Sequence, residues 1–227
     1  KTIKKFSKLN KIFLLDCGAN YGFYSFYTAS LSVENKIIAF EASTNTSKEF
    51  KANLALNNFK NIELENLAVT KKENEFLNFN ESVKDWESSL IDNSFVTSGS
   101  TRIKTTKIDY ILKNQNLDEF YLFIKLDIEG NEFDAIKGSL ETIKKYSPLI
   151  IIEFSKYNLS NNIDNLNFLD SFLEKFDYSI YTTKKKKIKS VKILNLLKNL
   201  NRRHQTIGNY YLIKNASKIE NIFLINE

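Results

Sequence analysis

DCGANYG, residues 16–22, joins the apolar run KIFLLD (Lys11–Asp16) to a helical pattern over Tyr21–Ser32. Glycine adopts backbone angles closed to other residues and leaves room for close approach. Gly18 and Gly22 therefore mark a turn where main-chain N–H groups can meet a ligand. A strand, a glycine turn and a helix in that order form the ligand crevice of open parallel α/β sheets. A tight turn with no ligand is the competing reading of these seven residues alone.

The flanking chain supports the crevice. KIIAFE (Lys36–Glu41) reads as a second strand and Asn45–Asn57 as a helix, with Phe50, Leu54 and Asn57 at helical spacing. Ile62–Val69 reads as a third strand. Buried runs in a β-α-β-α-β order, rather than strict alternation, are expected of a parallel sheet with helices on both faces. The rhythm breaks between Thr70 and Lys107. There Glu75–Asn80 and Thr101–Lys107 alternate around a polar stretch with Trp86, Ser88, Ser89, Ser98 and Gly99. This is the pattern of a β insertion with a mobile loop over one edge of a cleft.

The rhythm then resumes. A helix over Ile108–Asn116 precedes a strand over Phe120–Asp127, and a helix over Asn131–Tyr146 precedes a strand over Leu149–Glu153, entered through Pro148. Asn165–Phe176 is amphipathic, with Leu166, Leu169, Phe172, Leu173 and Phe176 on one face. Tyr178–Thr183 and Asn209–Lys214 close the sheet around a lysine run, Lys184–Lys187, and a short helix at Val191–Asn199. No repeat or linker divides the chain. The expectation is one α/β domain over residues 1–227, with an insertion at about 70–107.

Composition narrows the function classes. The 227 residues are 42% hydrophobic and 26% charged, a globular balance, and no apolar run is long enough to span a bilayer. KTIKKFSKLN, the first ten residues, lacks the apolar stretch of a secretory signal. The chain has no methionine, even at position 1, which points to a fragment or processed form. A single cysteine, Cys17, makes neither an internal disulfide nor a cysteine metal cluster, and fits a reducing cytoplasm. The one histidine, His204, has no nucleophile pattern around it and reads as a surface residue; no metal is called for. The net charge of +6 invites a nucleic-acid reading through Lys184–Lys192 and Arg202–Arg203. A chain rich in Lys, Asn, Ile, Phe and Tyr and poor in Pro, Gly and Arg also arises from A/T-biased coding, and that reading is preferred, so nucleic acid is disfavoured as a partner.

Glu41 ends the second strand about 20 residues after the glycine turn, where an acidic side chain accepts hydrogen bonds from ribose hydroxyls. With the turn it specifies a ribose-containing ligand. Dinucleotide sites favour G-x-G-x-x-G, but here Asn20 occupies the second glycine position. Asp16 and Asn20 offer polar groups suited to the ammonium and carboxylate of a methionine moiety.

A second cluster, IKLDIEGNE, covers residues 124–132 at the end of the Phe120–Asp127 strand. Alternation places Lys125, Asp127 and Glu129 on one side. A lysine within an apolar strand is costly unless paired, and the carboxylates two residues on supply a partner. Glu153, ending PLIIIEF, lies nearby if the two strands are adjacent. The bland alternative is a structural ion pair; three carboxylates and a lysine at the carboxyl ends of strands read better as a site.

DCGANYG, AFEAS, IKLDIEGNEFDAIKG and PLIIIEF, in that order, resemble the motifs of the FkbM family of methyltransferases from about Lys11 to Glu153. The most specific part is KLDIEG. AFEAS departs by carrying Ala42 where such proteins often have proline, and the lysine-rich segment from Lys184 and the stretch near Trp86 follow no matching pattern. The resemblance implies a class I, Rossmann-like fold: a seven-stranded, mostly parallel sheet with helices on both faces and an antiparallel last strand. It also implies S-adenosylmethionine as donor and O-methylation of a sugar, glycan or secondary metabolite.

On that basis Asp16, Gly18, Ala19, Asn20 and Gly22 hold the methionine portion of the donor, Glu41 the ribose, and Asn66 or Ala68 lies beside the adenine. Asp127 or Glu129 takes or orients the acceptor proton, or else binds the donor's ammonium, with Lys125 and Glu153 beside them. Two other functions compete. A nicotinamide-dependent oxidoreductase lacks its glycine spacing and a Tyr-x-x-x-Lys relay here; a non-catalytic cofactor- or nucleic-acid-binding protein would show itself by cofactor titration and salt dependence.

Overall fold

The computed structural model describes residues 1–82, 97–155, 163–198 and 206–225. In chain order its strands are β1 (Lys11–Cys17), β2 (Lys36–Phe40), β3 (Ile62–Glu65), β4 (Ala68–Val69), β5 (Phe76–Ser82), β6 (Thr97–Thr106), β7 (Phe120–Leu126), β8 (Leu149–Ser155), β9 (Tyr178–Thr182), β10 (Lys187–Ile188) and β11 (Thr206–Lys214). The helices are α1 (Thr2–Ser7), α2 (Phe23–Leu31), α3 (Thr44–Asn57), α4 (Ile108–Leu112), α5 (Glu132–Lys137), α6 (Leu140–Tyr146), α7 (Ile163–Phe176), α8 (Ser190–Lys198) and α9 (Lys218–Leu224).

The main sheet runs β10-β9-β11-β8-β7-β1-β2-β3. β1 pairs in parallel with β2 and β7, and β7 with β8. β11 is antiparallel to both β8 and β9, so β9 points the same way as β8. The expected seven strands and antiparallel last strand are therefore present, with one correction. The two-residue β10 adds an eighth strand at the edge.

Alternation along the strands builds a core on each face. Phe13, Leu15 and Cys17 of β1 enter one core with Ile38, Phe40, Ile124 and Ile152. Ile12 and Leu14 enter the other with Ile37, Ala39, Phe123 and Ile151. Both faces are dry, which is why these strands read as unbroken apolar runs. Among the described residues, no helix is long and apolar enough to cross a membrane.

Three boundaries differ from the sequence reading. Ile62–Val69 is two strands: β3 ends at Glu65, and β4 joins a separate sheet of order β4-β6-β5. The cause is local. Asn66 turns its amide back to donate to the carbonyls of Glu41 (2.7 Å) and Ala42 (3.2 Å), taking the chain out of the ladder. Asn131–Tyr146 is likewise two helices, interrupted at Gly138 and Ser139. A Cβ at Gly138 would lie 2.3 Å from the Thr70 carbonyl oxygen, so the helix break lets the insertion's base pack close. Finally, α1 and α9 were not anticipated; each buries a small apolar face, Ile3 and Phe6 in one and Ile219 and Phe223 in the other.

The two alternating segments of 70–107 fall in a β5–β6 hairpin, antiparallel from Phe76↔Lys104 to Ser82↔Thr97. Trp86, Ser88 and Ser89, and with them the proposed loop over the cleft, lie outside the described residues, as do Arg202, Arg203 and His204.

Candidate active site

The carboxyl ends of β1, β2 and β7 meet around the glycine turn. The Gly18 and Ala19 N–H groups both donate to the Phe40 carbonyl at 3.0 Å, while the Asp127 N–H donates to the Cys17 carbonyl at 3.2 Å. The turn is thus tied to both neighbouring strands. Gly18 has φ +74°, and a Cβ there would fall 1.9 Å from the Asp127 carbonyl oxygen. Only glycine fits, because the backbone after β7 occupies the space a side chain would need.

Beyond the turn lies an open cleft lined by Gly18, Asn20, Glu41, Ala68, Asp127 and Glu129, with Leu67, Val69, Phe79, Ile128 and Asn131 completing its walls. Asn66 is exposed and donates to the Glu41 and Ala42 carbonyls, supporting the cleft wall. Asp16, Ala19, Gly22, Lys125 and Glu153 do not line it.

Glu41 is buried, and its two carboxylate oxygens accept from the Asn20 N–H (2.8 Å) and the Ser43 N–H (2.9 Å). Burial pushes its pKa above the ordinary value, with those two hydrogen bonds opposing the rise. Glu41 therefore does more than face a ligand; it orders the glycine turn and the start of α3 at once. Asn20 itself takes a left-handed backbone, φ +51°, and its buried Oδ1 has no hydrogen-bond partner among the described residues.

Lys125 is the electrostatic centre beneath the cleft. It stands opposite Asp16 in the β1–β7 register, 3.6 Å from that carboxylate, 3.2 Å from Asp127, and it donates to the Gly18 carbonyl at 3.2 Å. Burial disfavours its charge, but Asp16 and Asp127 outweigh burial and hold its pKa above the ordinary range. The Tyr24 ring covers the ammonium at 5.1 Å, and the Ser25 hydroxyl donates to Asp16 Oδ2 at 2.7 Å. Asp16 is wholly buried in this network, serving Lys125 rather than the cleft surface.

The expected row of Lys125, Asp127 and Glu129 on one side does not form, because β7 ends at Leu126 and Glu129 adopts φ +50°. Glu153, on the adjacent β8, joins Asp127 and Glu129 instead, and carboxylate oxygens of all three lie within 4.8 Å of one another. Sequence reasoning missed Tyr24, Ser25 and Glu132. Buried Glu132 accepts from the Ile128 and Gly130 N–H groups at 3.2 and 3.1 Å and so shapes the loop that carries Asp127. Its place in EGNEF, one residue into α5, was the available signal. Cys17 is no nucleophile: burial holds its thiol far above the ordinary range.

The cleft suits a cationic ligand. Three carboxylates, Glu41, Asp127 and Glu129, line it, and the unpaired Asn20 Oδ1 requires a hydrogen-bond donor. S-adenosylmethionine, with a sulfonium, an ammonium and ribose hydroxyls, meets both demands, whereas a dinucleotide pyrophosphate would meet like charge. An open, mostly parallel sheet with this turn at its switch point and a carboxylate-lined cleft beside it has the class I, Rossmann-like architecture of S-adenosylmethionine-dependent methyltransferases.

The methyltransferase FkbM domain matches residues 16–180, and the chain belongs to that family, whose methyl donor is S-adenosylmethionine. The solved methyltransferase FkbM from Methylobacillus flagellatus KT is 18% identical with a TM-score of 0.53, over 89% of this chain and 43% of that one. The chain thus spans less than half the length of that protein. Precorrin-6y C5,15-methyltransferase from Geobacter metallireducens GS-15 is 15% identical at TM-score 0.46, covering 93% and 83%. An rRNA methylase from Streptococcus thermophilus is 11% identical at TM-score 0.45, covering 94% and 93%. No curated protein matches the chain.

Proposed function

We propose that this chain is an O-methyltransferase acting on a hydroxyl of a sugar, glycan or secondary metabolite. The observation that carries the reading is the carboxylate group Asp127, Glu129 and Glu153 at the edge of the cofactor cleft. Clustered carboxylates accept hydrogen bonds from neighbouring hydroxyls, which suits a polyhydroxylated acceptor. S-adenosylmethionine, when bound, supplies an electrophilic methyl group.

The residues divide the remaining work. Gly18 and Asn20 border the donor's methionine portion, Glu41 accepts from its ribose, and Asn66 and Ala68 flank the adenine side. Asp127, half-exposed and anchored by Lys125, takes or orients the acceptor proton. Lys125 keeps that carboxylate fixed and, through Gly18, links it to the donor turn, so two reactants are positioned by one framework.

Donor carrying a labelled methyl group, offered with hydroxylated sugars, glycans and small metabolites, tests the reading. The expected product is an alkali-stable methyl ether. Label found on nitrogen or carbon, or on RNA alone, would replace this acceptor class.

A further inference from the structure

The positive charge of this chain is concentrated. Residues 178–219 contain nine Lys and two Arg and no acidic residue, so all 27 Asp and Glu lie elsewhere. Drift in composition would not exclude acids from 42 consecutive residues. The densest part of this stretch is the turn after β9, where Lys184, Lys185 and Lys186 follow one another. No carboxylate of the described residues pairs with any of the three.

Topology sets this turn on the same rim as the cleft. β9 runs in the direction of β8, β7 and β1, so its carboxyl end points where theirs do. α9 returns to that rim after the reversed β11, and the rim side of α9 ends at Ile225. Both Lys185 and Lys5 donate to the Ile225 carbonyl, at 2.6 and 2.5 Å, placing two ammonium groups beside a side chain that is 60% exposed. Lys1 and Lys185 border one shallow pocket there. Phe23, the first residue of α2 directly after the glycine turn, is 81% exposed.

We propose that this rim docks on an anionic lipid surface, with Lys1, Lys184, Lys185 and Lys186 meeting headgroups and Phe23 and Ile225 entering the interfacial layer. Lysines draw a protein to an acidic leaflet through long-range charge, and exposed apolar side chains add short-range burial once it arrives. Unpaired lysines alone would suit any polyanion. Ile225, exposed to water beside Lys185, with exposed Phe23 elsewhere on the same rim, is the feature a bilayer uses and a phosphate backbone does not. The inference concerns the rim and stands apart from the choice of acceptor.

Sedimentation of the full chain with vesicles of phosphatidylcholine, alone or with one-third phosphatidylglycerol, tests it. Binding is expected only with the anionic lipid, weakening as salt rises. Lys184→Glu with Lys186→Glu should weaken it at least ten-fold while S-adenosylhomocysteine affinity holds, which shows that the fold is intact. Phe23→Ser with Ile225→Ser should weaken it several-fold at unchanged thermal stability. Absence of binding to anionic vesicles, or equal binding to neutral ones, would overturn the proposal. So would vesicle binding indifferent to the Phe23 and Ile225 changes, or displaced by an RNA oligonucleotide at lower charge concentration, since the rim would then be a polyanion site.

Discussion

Lys125 reaches Asp127 at 3.2 Å from a buried position, while Asp127 is half-exposed at the cleft. One end of the ion pair is held by the core and the other is open to a ligand. Losing Asp127 does not strand Lys125, because Asp16 and the Gly18 carbonyl stay within reach.

Asp127→Asn should therefore leave folding nearly intact and lower turnover by about 10²–10⁴-fold, the span for removing a general base. Turnover per folded molecule, beside thermal unfolding and donor affinity, decides it. Intact turnover would remove Asp127 from the reaction, and lost donor affinity alone would move it to the cofactor.

Asp16→Asn should do the reverse. Asp16 is a fully buried partner of a buried ammonium that still keeps Asp127 and the Gly18 carbonyl, so stability should fall by about 1–3 kcal/mol, more than for the half-exposed Asp127. Chemical denaturation measures this. A change no larger than that of Asp127→Asn would contradict the network.

Glu41→Ala should weaken donor binding by roughly 1–3 kcal/mol and also lower the melting temperature, since two backbone N–H groups lose their acceptor. An exposed strand-end carboxylate would matter little for stability, but Glu41 is buried. Calorimetry with S-adenosylhomocysteine and a thermal melt check both parts.

The pH dependence of Glu41 has opposite signs for folding and binding. Burial raises its folded pKa above the usual 4.5, so its contribution to stability falls as pH rises from 4.5 through the folded value. Donor affinity should instead fall as pH drops through that same window, because protonation removes the anionic acceptor. Comparing wild type with Glu41→Gln isolates the two trends, and parallel trends would refute the assignment.

S-adenosylmethionine and S-adenosylhomocysteine should bind, and NAD and NADP should not. Titration calorimetry with all four ligands tests the carboxylate-lined cleft directly. Tighter binding of a nicotinamide cofactor would contradict the charge argument.

Much of this was legible from local pattern. DCGANYG, Glu41 and KLDIEG lie within single strand-turn units, so local pattern sufficed to bring residues of all three to one cleft. Asp16 facing Lys125 was not legible, because cross-strand register depends on how β1 and β7 align over 109 residues. Sequence alternation placed Glu129 on one side with Lys125 and Asp127, whereas the chain leaves the strand after Leu126 and turns left-handed at Glu129. The break at Asn66 was also hidden: a side chain bonding back to β2 cannot be seen until β2 and β3 are neighbours. Tyr24 and Ser25 read as ordinary helix residues until α2 lies over the Lys125 side of the sheet.

Val69 and Thr106 are direct ladder partners, so the segment between them leaves and re-enters the domain at one point. Such a segment can change length without disturbing the main sheet. Lengthening it costs only about 0.6 kcal/mol per doubling of a flexible loop, while the seams at Val69–Thr106 and Thr70–Gly138 stay closed. Because Phe79 lies within that segment and lines the cleft, such a change would reshape one wall of the cavity and leave the Gly18–Asp127 floor untouched.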